Sequence, residues 1–203
     1  MAVKRAYLRN AGMETGAARK ADHDPSVRDE EALRRMQFCA LTDQPLDFES
    51  GVVVCPYGKL FNKEAAVEAL LRRKQDSSAG GPQLGGHIRG LKDLHSVRFQ
   101  TTKQDDGSTL LVCPVTGREL NGRIPTFALI PGNESSVNVV SEYALHQLGE
   151  TEILTEYGAR KKIRIAPPPD ALKEIKAALE EERVSSKRKK KRKRVENKSQ
   201  NNH

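Results

Sequence analysis

The segments CALTDQPL at residues 39–46 and CPVTGREL at 113–120 place Cys, Thr and Leu at the same spacing, 74 residues apart. A repeat constrains the fold more than any single predicted element, because it says that the chain carries two copies of one supersecondary unit. A short apolar strand candidate follows each copy, Val52-Val53-Val54-Cys55 in the first and Phe127-Ala128-Leu129-Ile130 in the second. An amphipathic helix candidate comes next, at 62–72 and at 140–148. The competing explanation is chance similarity between two turns.

The chain's 203 residues suit one domain or two small ones. With no Trp, four Tyr and five Phe, the interior has to be filled by Leu, Val and Ile. The formal charge of +8 is concentrated in one place, the eight consecutive cations Lys187, Arg188, Lys189, Lys190, Lys191, Arg192, Lys193 and Arg194. Without them the 35 Lys and Arg fall to 27, which equals the 27 Asp and Glu, so the body of the protein is neutral. Such a run reads as a nuclear-localisation signal or as a weak contact to nucleic-acid phosphates; the bland alternative is a solvated, self-repelling tail.

Cys39, Cys55 and Cys113 form no even disulfide framework, and no CxxC occurs. A reducing compartment is implied. Met1-Ala2-Val3-Lys4-Arg5 opens no apolar signal region, and no run approaches the ~18 apolar residues of a membrane span, so a soluble, intracellular protein is expected. The sequon at Asn133-Glu134-Ser135 is then a coincidence.

The expected organisation is α+β. An N-terminal arm at 1–35, partly extended, carries a short helix at 29–36 that leads into a first unit at 36–75. There Pro45 breaks the first loop, residues 48–55 and 60–61 form a hairpin turning at Pro56-Tyr57-Gly58-Lys59, and Asn62 caps the helix. Ala66, Val67, Leu70 and Leu71 supply that helix's apolar stripe. A flexible link and hairpin at 76–108, with a strand at 95–99, precede the second unit at 109–153. A strand and C-terminal helix occupy 154–184, the helix starting at Ala171 behind the cap Asp170, and a disordered basic tail covers 185–203.

A Cys-x-[Leu/Val]-Thr loop, a hairpin with Cys-x-x-Gly at its turn and a helix make up the layout of RING and U-box modules, so two such ββα units in tandem are expected. Zinc RINGs need four Cys or His ligands per site. The first unit offers Cys39 and Cys55 with His87, the second Cys113 with the distant His146, so no zinc or other cofactor is expected. Packing and hydrogen bonds from Thr42, Asp43, Thr116 and Arg118 take the metal's place. Cys39 and Cys113 then read as buried small hydrophobes.

The segments 38–46 and 53–64, with Val112-Cys113-Pro114-Val115-Thr116-Gly117-Arg118-Glu119-Leu120-Asn121-Gly122-Arg123 and the intervening His87-Ile88-Arg89, resemble the signature blocks of the replication termination factor 2 family. The resemblance covers roughly 36–150 and picks out Cys39, Thr42, Cys55, Gly58, Cys113, Pro114, Thr116, Gly117, Asn121 and Gly122 as the structural motif. It implies a nuclear protein working by protein–protein contact in a replication-fork or pre-mRNA splicing assembly. Family members carry further Cys and His after Asn-Gly-Arg, whereas 127–148 contains no Cys. The alternative reading is an E3 ubiquitin or SUMO ligase with no nucleophile of its own, holding a charged E2 through Leu41, Pro56 and Leu70. Ordinary packing explains the same three residues. No serine-hydrolase set, phosphate loop or HExxH points to another enzyme.

Overall fold

The computed structural model describes residues 25–75, 84–105, 109–132 and 137–200, the last fifteen of these as backbone alone. The expected arm at 1–24, the Gly-rich link at 76–83 and the tips at 106–108 and 133–136 lie outside the described residues. Helix α1, Pro25–Gln37, is longer than the expected turn at 29–36 and buries Ala32 and Met36.

Strands β1 (Val52–Val54) and β2 (Leu60–Asn62) form the first hairpin. The arm expected from Phe48 is shorter, because Asp47 folds residues 47–51 into a turn by accepting the N–H groups of Glu49 and Ser50. Helix α2, Lys63–Gln75, follows with Ala66 and Leu70 buried. Leu71, placed in the apolar stripe, is instead 52% exposed. A 3-10 turn at Leu91–Asp93 then leads into β3, His95–Arg98, and β4 (Gln100–Lys103) pairs with β5 (Thr109–Val112) in a separate ribbon.

The second unit repeats the first. Strands β6 (Thr126–Pro131) and β7 (Val137–Ser141) form its hairpin, and helix α3 (Glu142–Leu148) follows. The helix expected from Val140 begins two residues later, since Val137 to Ser141 is strand. Helix α4 (Glu150–Glu156) and strand β8 (Ala159–Ile165) complete the unit.

In each copy the third strand pairs antiparallel with the first strand of the hairpin, Val52 opposite Val97 and Thr126 opposite Ile165. The units are joined by β3 and β7, parallel, with Val97 opposite Val137. One six-stranded sheet of order β2-β1-β3-β7-β6-β8 results. Its core is aliphatic, with Val52, Val54, Leu60, Ile88, Leu129, Val139, Val140 and Ile153 at most 1% exposed. The stabilisation comes from many Val, Leu and Ile side chains at about 1.5–3 kcal/mol each relative to exposure.

Ends of the sheet order are also tied. Ala166, just past β8, donates its N–H to the carbonyl of Gly58, just before β2, at 2.8 Å. Gly58 has φ +77, and a Cβ there would overlap the Arg164 carbonyl. Only glycine admits this approach. The offsets that match Val52 with Thr126 and Asn62 with Ser141 make this contact the counterpart of the β3–β7 joint, so the two end strands of the sheet approach each other at Gly58.

Helix α5 runs from Pro169 to Gln200, 32 residues. Proline tolerates the first helical turn, so Asp170 lies inside that turn instead of capping it. The stop expected at Val184 is absent. The helical backbone runs on past that point through 187–194, in keeping with the strong helix propensity of Lys, Arg, Glu and Gln and the lack of Gly or Pro there; residues 201–203 lie outside the described residues.

Candidate functional site

The two Cys-Thr loops are the same structure. In the first, Cys39 N–H donates to Gln44 O at 2.8 Å, Asp43 N–H to Cys39 O at 2.9 Å and Leu46 N–H to Gln37 O at 2.7 Å. In the second, Cys113 donates to Arg118 O, Gly117 to Cys113 O and Leu120 to Leu111 O, each at 2.8 Å. All five residues involved correspond at the 74-residue offset. The turn needs a left-handed residue at the fifth position of the loop, supplied by Asp43 (φ 53) in one copy and Gly117 (φ 65) in the other. Leu46 and Leu120, at 6% and 3% exposure, anchor the loops in the core.

Each loop presents a buried thiol that accepts a backbone N–H from the last residue of its hairpin. Asn62 donates to Cys39 Sγ and Ser141 to Cys113 Sγ, both at 3.4 Å. Ser141 adds its hydroxyl, Oγ to Sγ 3.4 Å, and also accepts the Ala144 N–H as the cap of α3. Asn62, expected to cap α2, turns the other way: its side chain accepts the Asp47 N–H and donates to Pro45 O, closing the loop. Asn62 and Ser141 are thus the thiols' partners, a role that sequence pattern did not reveal. Their common position immediately before a helix was the available signal.

These contacts set the thiols' character. Burial pushes Cys39 up, but the nearby Thr42 hydroxyl and the N–H groups of Asn62, Leu41 and Thr42 outweigh it and hold the thiol below its ordinary value. Thr42 Oγ itself completes no hydrogen bond of ordinary geometry, so the backbone groups are the firmer donors. Burial likewise raises Cys113, and Ser141 and Thr116 more than offset it. Burial dominates at Cys55, raising it. All three are free thiols.

The surroundings of Cys39 and Cys113 do not form a tetrahedral ligand set. Among the described residues no three His, Cys, Asp or Glu gather as a metal group. Each thiol instead accepts a backbone N–H at 3.4 Å. His146, the distant candidate, is exposed on α3. His87 stacks on Tyr57, ring centroids 3.8 Å apart, and its Nε2 is buried without a partner. Burial, with Arg183, Lys59 and Lys176 nearby, lowers its pKa to about 4, so it is neutral at physiological pH.

The signature residues outside the loops join parts of the fold. Asn121 Oδ1 accepts the Arg123 N–H at 3.1 Å, and Arg123 Nε pairs with Asp29 of α1 at 3.0 Å. Between them Gly122 (φ +81) presses against α1, where a Cβ would sit 2.6 Å from Ala32 O. Asn-Gly-Arg therefore docks the helix before the first unit onto the second. His87-Ile88-Arg89 does similar work: Ile88 is fully buried, its carbonyl takes Arg73 of α2 at 2.7 Å, and the His87 carbonyl takes Arg183 of α5 at 3.0 Å. Of the expected E2 surface, Leu41 and Pro56 are half-buried and Leu70 is 7% exposed in the core. Pro114 is exposed at the second loop. An apolar pocket of about 340 Å³ beside Cys39 is lined by Phe38, Leu60, Ala166, Pro167 and Leu172.

A family model described as Rtf2 RING-finger matches residues 4–203. Splicing factor rtf2 of Schizosaccharomyces pombe is 31% identical over 154 residues, covering 73% of this chain and 58% of that protein. Replication termination factor 2 of Sus scrofa and of Mus musculus are 29% and 30% identical over 110 residues, 47% of this chain and 35% and 34% of theirs. The chain therefore spans little more than half the length of the yeast relative and about a third of the mammalian ones.

Proposed function

The chain belongs to the Rtf2 RING-finger family, and on that premise we propose that it is a nuclear scaffold working by protein–protein contact in a replication-fork or pre-mRNA splicing assembly. The names of its relatives, splicing factor and replication termination factor, support the setting. The observation that carries the scaffold reading is the pair of Cys loops closed by the chain's own N–H groups at 3.4 Å. In this reading such a centre helps to hold each unit in shape through the chain's own hydrogen bonds. The basic run at 187–194 acts as the nuclear-localisation signal. Affinity purification of the full chain from nuclear extract tests the assignment: replisome proteins or spliceosome proteins are expected, and recovery of neither rejects it.

A second reading, recruitment of a charged E2 through the first unit, draws support from Leu41 and Pro56, which leave part of their surface open on neighbouring loops. A discharge assay with a panel of thioester-charged E2s decides it. No acceleration by the protein, or acceleration that Leu41→Ala leaves intact, removes this reading.

A further inference from the structure

Like charges converge where the first hairpin meets the long helix. Lys59 sits on the hairpin turn, Lys176 Nζ lies 5.8 Å from the Tyr57 ring centroid, and Arg183 donates to the His87 carbonyl at 3.0 Å. All three cations act on the half-buried His87 ring, with Asp93 as the opposing charge. Some surface cations pair with carboxylates, as in Arg72–Glu68, Arg123–Asp29 and Lys162–Glu150. Among the described residues Lys59, Lys176 and Arg183 have no such ion pair.

Lys176 and Arg183 are seven residues apart on α5, two turns along one face. Backbone positions 187, 190, 191 and 194 continue that register, with Glu180 the acidic position within it. From 176 to 194 the helix advances about 27 Å at 1.5 Å per residue.

The geometry points to a binding path for the phosphodiester backbone of nucleic acid, starting on the folded body at Lys59, Lys176 and Arg183 and continuing along α5. A phosphate chain asks for evenly supplied cations and no apolar pocket, because its affinity comes from displaced counterions. A protein partner of matching charge would draw its energy from buried aromatic or aliphatic anchors, and positions 187–194 contain none. The path gives the scaffold a direct hold on the nucleic acid of its assembly, a property separate from its protein contacts.

Fluorescence anisotropy of the full chain with a labelled single-stranded RNA of about 20 nucleotides tests it, with the matching DNA strand and duplexes separating the sources of phosphate. In about 100 mM salt, Lys59→Gln with Lys176→Gln should weaken single-strand binding about tenfold and reduce the slope of log K against log salt by about 1.4, some 0.7 per lost contact. Lys59→Arg with Lys176→Arg should bind as the parent does. Removing 185–203 should weaken binding further while leaving a salt-dependent remainder that the paired Gln variant abolishes. The proposal is overturned if the Gln pair binds like the parent with an unchanged melting temperature, if the truncation alone removes all binding, or if polyglutamate of equal length competes as well as RNA.

Discussion

Gly122 and Gly117 occupy the same region of backbone space, φ +81 and +65, but a side chain would meet a neighbour at only one of them. A Cβ at Gly117 meets no atom within 4 Å, whereas at Gly122 it lies 2.6 Å from Ala32 O and 2.8 Å from Ala32 C. Gly117→Ala therefore carries only the left-handed penalty of an L-residue, about 1–2 kcal/mol. Gly122→Ala carries the same penalty and must also push α1 back by several tenths of an ångström. That movement strains or loses the half-exposed Arg123–Asp29 pair, worth about 0.2–1 kcal/mol, and loosens the burial of Ala32 and Met36. We expect a total near 3–5 kcal/mol, so the excess of Gly122→Ala over Gly117→Ala is about 2–3 kcal/mol. At about 2–4 °C per kcal/mol for a chain of this size, the two melting temperatures should differ by about 4–12 °C. Far-ultraviolet circular dichroism during urea and thermal unfolding gives both numbers, and trypsin should cut after Arg34 and Arg35 faster in Gly122→Ala. Equal losses in the two variants, or undisturbed α1 protection, would refute the claim that Asn-Gly-Arg docks α1.

Three shorter predictions rest on the same geometry. Ser141→Ala removes a helix cap and a hydroxyl donor to Cys113 together, and should lower stability by about 1–2 kcal/mol in urea unfolding; Ser141→Thr should recover most of it. A strong chelator should leave the melting temperature of the purified chain unchanged, and a fall of more than a few degrees would show that a metal contributes to its fold. His87, held near pKa 4 in the folded state against an ordinary 6.5, takes up its proton more readily when unfolded, so stability is fully present above about pH 6.5 and declines as pH falls from there towards 4. Comparison of unfolding free energies across that window should show a shallower decline in His87→Gln, and parallel profiles would reject the assignment.

The loops were legible because their turn chemistry is local: a Cys and a Thr at fixed spacing, a residue tolerant of positive φ and a buried Leu all lie within eight positions. The Val52 and Phe127 strands and the α2 helix were likewise visible as apolar pattern. The strand at Val137–Ser141 was not, since Val137, Val139 and Val140 precede a good helix and look like its first turn. Parallel pairing of β3 with β7 joins residues about 40 positions apart and leaves no local trace. Asn62 shows the same gap from another side. Its residue type favours a helix cap, but the Asp47 N–H and the Pro45 carbonyl, both brought near by the fold, compete successfully for its amide.

The contact of Ala166 with Gly58 bears on why the duplication has two copies. A head-to-tail joint applied to identical units propagates without end unless its rotation brings the last unit back to the first. Here the end strands of the two copies, β2 and β8, are tied at Gly58 by a backbone hydrogen bond that stands in for the β3–β7 joint. That tie covers one point of the two end strands, where an exposed edge would otherwise invite pairing with another chain, and it hangs on a residue without a side chain.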